Sequence, residues 1–125
     1  MSMSMNKAQA IQQFWSGFGL PAYDQHTVPQ GAQMPYITYS VSESDFDRRI
    51  SQTASIWYRS SSWEEVTLKS YEIAKKIKLG GVAVQVDGGG MWIYRGSPFS
   101  QRMSDTDDTV RRIALNVTVE YFTYY

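Results

Sequence analysis

The chain has 125 residues, 12 Lys plus Arg against 12 Asp plus Glu, one histidine and no cysteine. That length suits one domain over residues 1–125, and it excludes two well-cored ones. The balanced charge gives no bulk reason to seek nucleic acid or an anionic membrane, and the missing cysteines exclude a disulfide framework, a thiolate zinc site and a cysteine nucleophile.

The start, residues 1–6, is polar and is expected to be flexible. It lacks the apolar core of a signal peptide, and no run is long enough to span a membrane, so the expectation is a soluble chain made inside a cell. From Lys7 to Phe18, Ala8, Ile11, Phe14, Trp15 and Phe18 trace one helical face, with Asn6 as N-cap and Pro21 as stop. Pro21 to Pro35 reads as a loop.

Tyr36 to Ser42 alternates, as does Gln52 to Arg59 with Ala54, Ile56 and Tyr58 on one face. The two form a predicted hairpin whose polar tip, Ser42 to Arg49, carries Asp45, Asp47, Arg48 and Arg49. A second helix comes next. Ser62 and Glu65 have capping-box spacing; Trp63, Val66, Ser70, Ile73 and Ile77 form one stripe, and Glu65, Lys69, Glu72 and Lys76 the opposite one. Gly80 supplies the stop. Leu68 and Leu79 fall on the charged side. Leu79 can fold under in the last turn; Leu68 is either an intermolecular contact or an ordinary exposed leucine.

Val82 to Val86 and Met91 to Arg95 are strands joined by an Asp87–Gly90 turn. Gly96 to Asp108 reads as a second polar loop, with Arg102, Asp105, Asp107 and Asp108. The last strand, Thr109 to Tyr124, slips parity between Val110 and Leu115, which predicts a bulge near Arg111–Arg112. A strand so long is expected to overhang its sheet and expose Phe122, Tyr124 and Tyr125 for pairing with another chain. The resulting fold class is α+β. It is a mostly antiparallel curved sheet of about five strands with two helices on one face, in the order α-β-β-α-β-β-β.

No catalytic centre is legible. His26 stands in a loop without a nucleophile-elbow serine to serve. Asp105-Thr106-Asp107 starts like a calcium loop, but Val110 and Asn116 replace its glycine and glutamate, leaving a solvated acidic turn. Gly88–Gly90 precedes a strand and not the helix a phosphate loop requires. The mixed charges of Asp45, Asp47, Arg48 and Arg49, and of Arg102, Asp105, Asp107 and Asp108, suit either charge-matched contacts between copies or plain solvated surface.

Pro35-Tyr36-Ile37-Thr38-Tyr39, then Ile56-Trp57-Tyr58-Arg59, then Ser61-Ser62-Trp63-Glu64-Glu65, succeed one another in a layout that resembles the tail-terminator and tail-completion (head–tail joining) proteins of long-tailed bacteriophages. The resemblance spans roughly residues 8 to 123; the Gly88–Gly90 turn and the Asp105–Asp108 loop lie outside it. It implies a virion protein of the tail–neck region, assembled in the host cytoplasm, without catalysis or cofactor. Its partners would be its own copies in a ring, commonly a hexamer, together with the tail tube protein and the head connector. No nucleic-acid sequence recognition and no membrane enter that role. A small ligand- or peptide-binding module built on the tyrosine-rich sheet, or another neck subunit, is the alternative.

Overall fold

Alternation at period two sets the strands, and apolar stripes at period 3.6 set the helices. The computed structural model describes residues 5–125. The elements are α1 (Lys7–Ser16), β1 (Ala22–Asp24), β2 (Tyr36–Tyr39), β3 (Arg48–Arg59), α2 (Glu64–Ile77), β4 (Val82–Val86), β5 (Gly89–Met103) and β6 (Val110–Thr123). The fold is α+β, with six strands in one sheet ordered β1-β2-β3-β6-β5-β4. All pairings are antiparallel except β1 with β2.

Ile37, Ile56, Ile113, Leu115, Val119 and Ile93 all face one side of the sheet and are buried. Both helices cover that side. Val66, Ile73 and Ile77 of α2 lie over β3, β6 and β5 at the centre. Ile11 and Trp15 belong to α1, which touches β1 and β2 at one edge and β4 at the other. The sheet therefore curls until α1 bridges its two edges. Burying each such aliphatic side chain contributes about 1.5–3 kcal/mol.

Asn6 caps α1 as expected. Its side chain accepts the Gln9 N–H at 2.8 Å, and the Gln9 side chain accepts the Asn6 N–H at 3.0 Å. The helix ends at Ser16, short of the predicted Phe18, because Gly17 already turns its N–H to the Phe14 carbonyl. Residues 1–4 of the expected flexible start lie outside the described residues; the Met5 carbonyl accepts the Asp87 N–H at 2.8 Å.

Several boundaries depart from expectation. The predicted Pro21–Pro35 loop contains β1, a sixth strand whose one strand partner is β2, in parallel. The second hairpin strand starts at Arg48, so Arg48 and Arg49 leave the predicted tip and pair with Tyr121 and Glu120. No capping box forms on α2: Ser62 Oγ accepts the Glu64 N–H instead, and the Trp63 N-cap makes no side-chain bond. Lys69 reaches Glu72 at 3.0 Å and the Phe18 carbonyl at 2.7 Å, displacing the predicted pair with Glu65. The helix stops at Lys78, which takes φ 66, ahead of the predicted Gly80. Leu79 does not fold under; it is 94% exposed.

Most of the predicted Gly96–Asp108 loop is strand. β5 continues to Met103 past a bulge between Arg95 and Ser100, held by Asn116 Nδ2 donating to the Pro98 carbonyl at 3.0 Å. A Cβ on Gly96 would stand 2.8 Å from the Asn116 carbonyl oxygen, so the bulge needs glycine there. The bulge expected near Arg111–Arg112 is absent, because β6 matches β3 residue for residue from Arg59↔Val110 to Arg48↔Tyr121. Val110 breaks parity by being buried apart from the main core. Nor does β6 overhang, although Phe122, Tyr124 and Tyr125 are exposed as expected. It is central, paired with β3 on one side and β5 on the other.

Candidate assembly surfaces

The charged residues singled out in the sequence form two groups at opposite ends of β3 and β6. Asp45, Asp47, Arg48 and Arg49 lie where Arg48 pairs with Tyr121; Arg102, Asp105, Asp107 and Asp108 lie toward the end where Arg59 pairs with Val110. Twelve paired residues separate these ends, about 35–40 Å of strand. Leu68 belongs to neither group. It projects from the outer side of α2 with Tyr71, and both are exposed.

At the first end the chain turns sharply into β3. Asp47 adopts φ 61, and its N–H donates to the Tyr121 carbonyl at 2.7 Å. Phe46 is exposed and meets Phe122 edge to face at 6.1 Å. Behind them Lys7 is buried. Its ammonium donates to the Tyr125 carbonyl and stands 5.4 Å from the Tyr121 ring and 4.8 Å from the Tyr125 ring. The Tyr121 hydroxyl donates to the Ser42 carbonyl and accepts from Gln52 Nε2 at 2.9 Å. Burial pushes the Tyr121 phenol up to about 12. A Cβ on Gly89, where φ is +149, would lie 1.9 Å from the Phe122 carbonyl oxygen.

At the second end an acidic loop folds on itself. Asp105 Oδ1 accepts the Asp107 N–H at 3.1 Å, and Asp107 Oδ1 accepts the Thr109 N–H at 2.9 Å and hydroxyl at 2.7 Å. Asp107 Oδ2 pairs with Arg59 at 3.1 Å. The Thr109 hydroxyl and N–H, then Arg59, hold the Asp107 carboxyl down at about 2. Among the described residues no three His, Cys, Asp or Glu side chains converge as a metal site. The Trp63 ring lies 4.9 Å from the Arg102 guanidinium and 5.5 Å from that of Arg111. Arg111 also donates to the carbonyls of Asp108 at 2.6 Å and Ser61 at 3.2 Å, tying the loop to the start of α2.

Among the described residues no helix covers the outer face of the sheet. Its short polar residues are buried by their long neighbours. Trp57 covers Thr38 and donates to it at 2.9 Å; Arg112 donates to Ser55 at 3.0 Å and lies 4.6 Å from the Trp57 ring. Buried Glu120 accepts from Tyr94 at 3.0 Å and Arg49 at 3.1 Å. Beside this face, β4 covers β5 only to Ile93, so no strand pairs with the outer edge from Tyr94 to Met103 among the described residues. His26 is exposed in the turn after β1, its backbone N–H bonded to Asp24.

Sequence reasoning missed Lys7, Trp63, Arg111 and Glu120 as residues that shape these surfaces. A signal existed for Lys7, which sits four residues before Ile11 on the apolar side of α1. Glu120 stands between the inward-facing Val119 and Tyr121, which marks its face but not its burial.

Neither a protein-family model nor a curated protein matches the sequence. Among solved structures the chain is similar to one in the virion of a native gene transfer agent particle, with a TM-score of 0.61 and 16% identity. The match covers 90% of this chain and 95% of that one, so the two share the fold over nearly their whole lengths.

Proposed function

We propose that this chain is a structural subunit of a phage-like virion. Its copies join into a ring, a hexamer in this reading, at the end of the tail tube. The ring ends tube growth and joins the tail to the head connector. The fold shared with a chain of a gene transfer agent virion carries the reading. The layout of Pro35–Tyr39, Ile56–Arg59 and Ser61–Glu65 supports the finer role. So do two charged ends, an exposed Leu68–Tyr71 pair and an unpaired β5 edge, all usable between copies. The role needs no cofactor and no catalytic group.

Asp45, Asp47 and Arg48 at one end, Arg102, Asp105 and Asp108 at the other, and Leu68 on α2 are the contacts proposed. Arg49 and Asp107 belong to the same groups but already pair with Glu120 and Arg59 within the chain. Arg48→Glu is therefore the cleaner charge reversal. Mass measurement by light scattering, followed by electron microscopy, should show rings with a central channel. A monomer at high concentration that binds a small ligand saturably would overturn this reading in favour of a binding module.

A further inference from the structure

The two ends of α2 carry complementary surfaces. Beside its N-terminus lies a cavity of about 300 Å³. Trp63, Met103 and Val110 give it an apolar floor, Ser104 and the Arg111 guanidinium line it beside them, and Asp105, Asp107 and Asp108 give it an acidic rim. Asp107 is engaged by Arg59, whereas Asp105 and Asp108 form no ion pair among the described residues. Glu64 and Glu65 add charge next to Trp63. Arg59, Arg102 and Arg111 offset part of it, leaving this end net negative: five carboxylates against three guanidiniums.

The other end is its counterpart in shape and sign. Leu79, 94% exposed, protrudes from the turn made by Lys78 at φ 66. Lys75, Lys76 and Lys78 flank it, all exposed and none in an ion pair among the described residues. Taken singly an exposed leucine is ordinary surface; what marks this one is its setting, at the tip of a turn and ringed by three lysines. The cavity offers an apolar lining for a leucine and carboxylates for the lysines around it.

We propose that Leu79 of one copy enters the Trp63 cavity of the next copy, with Lys75, Lys76 and Lys78 facing Asp105 and Asp108. The 14 residues of α2 put about 20 Å between knob and cavity, so one copy cannot fill its own. The contact uses a different patch on each partner, the heterologous arrangement that gives a ring where the rotation between copies closes and an open filament where it does not. It rests on the ring reading of the proposed function and goes beyond it by naming the mating surfaces.

The test uses the full chain and light scattering. Leu79→Asp should weaken self-association by roughly ten- to a hundredfold, the cost of losing one buried leucine contact, while leaving the circular dichroism spectrum unchanged. Lys75→Glu/Lys76→Glu/Lys78→Glu and Asp105→Lys/Asp108→Lys should each dissociate alone. Mixed, they should assemble again, since each then offers the other an opposite charge. Wild-type rings with an unchanged Leu79→Asp mass would overturn the pairing and leave the ring reading standing. Failure of the mixed variants to assemble would overturn the lysine–aspartate contact. A wild-type chain monomeric at every concentration would overturn the ring and the pairing together.

Discussion

β3 and β6 run side by side for twelve residues, yet their two ends are closed by different physics. Where Arg48 meets Tyr121, desolvation does the holding: a fully buried tyrosine, a buried lysine and a glycine pressed against backbone. Where Arg59 meets Val110, exposed charges do it: an ion pair, a carboxylate collecting N–H and O–H donors, and an arginine reaching two carbonyls. Buried groups give large, salt-insensitive energies, while exposed pairs give small, screened ones. One strand pair therefore has a rigid end and an adjustable end. The adjustable end is the one that carries the Trp63 cavity.

The largest effect should come from Tyr121→Ala, at about 3–5 kcal/mol of unfolding free energy in urea, for an aromatic lost from the core. Tyr121→Phe separates packing from hydrogen bonding and should cost about 1 kcal/mol, because Gln52 still reaches the Ser42 carbonyl. Equal losses from both variants would refute a packing-dominated end. Arg111→Ala comes next, at about 1–2 kcal/mol from its carbonyl bonds and its contact with Trp63. Its Nε is buried without a partner, which limits the loss. Hydrogen exchange should quicken in residues 104–109 and not at Asp47; quickening at both would erase the distinction between the ends.

Alkali probes buried tyrosines, and the largest response belongs to the rigid end. The folded Tyr121 phenol sits at about 12, and Tyr39, Tyr58 and Tyr94 are raised too, chiefly by burial. An unfolded tyrosine ionises near 10. The folded state then holds protons that the unfolded state has released, so stability is complete below about pH 10 and falls as pH rises toward about 12. Denaturant midpoints across that range should decline steadily, and a flat profile would contradict the burial of Tyr121.

The sequence showed what depends on local periodicity. Val66, Ser70, Ile73 and Ile77 announce the buried stripe of α2, and Ala54, Ile56 and Tyr58 announce the inner face of β3. It concealed what depends on partners distant in the chain. Three residues of β1 carry no alternation to read and exist as a strand only because β2 lies alongside. Gly96, Ser97 and Pro98 read as loop, because nothing local says that the ladder resumes at Ser100 opposite Leu115. The acidic loop and the polar tip were both visible as charge, but their separation comes from the β3–β6 register. The cavity needed more still: Met103 must pair with Arg112 before Arg102, Trp63 and Arg111 can meet.

Acid should probe the adjustable end, with the smallest effect of all. The Asp107 carboxyl, held at about 2, keeps its charge in the folded chain well below the unfolded aspartate value near 3.9. Its contribution is therefore complete above about pH 4, declines progressively below that, and is gone once pH falls below about 2. The carboxylate is exposed, so the global midpoint should scarcely move; the local bonds to Thr109 and Arg59 should report the change. The Thr109 amide should stay protected from exchange at about pH 3 in the native chain and lose that protection in Asp107→Ala, which removes the accepting oxygen. If the native amide opens by about pH 4, the carboxyl titrates as an ordinary surface aspartate. The second end would then be held by Arg111, the Arg59 bond to the Thr109 hydroxyl and the Asp105 turn, and its contrast with the buried end would no longer involve the Asp107 charge.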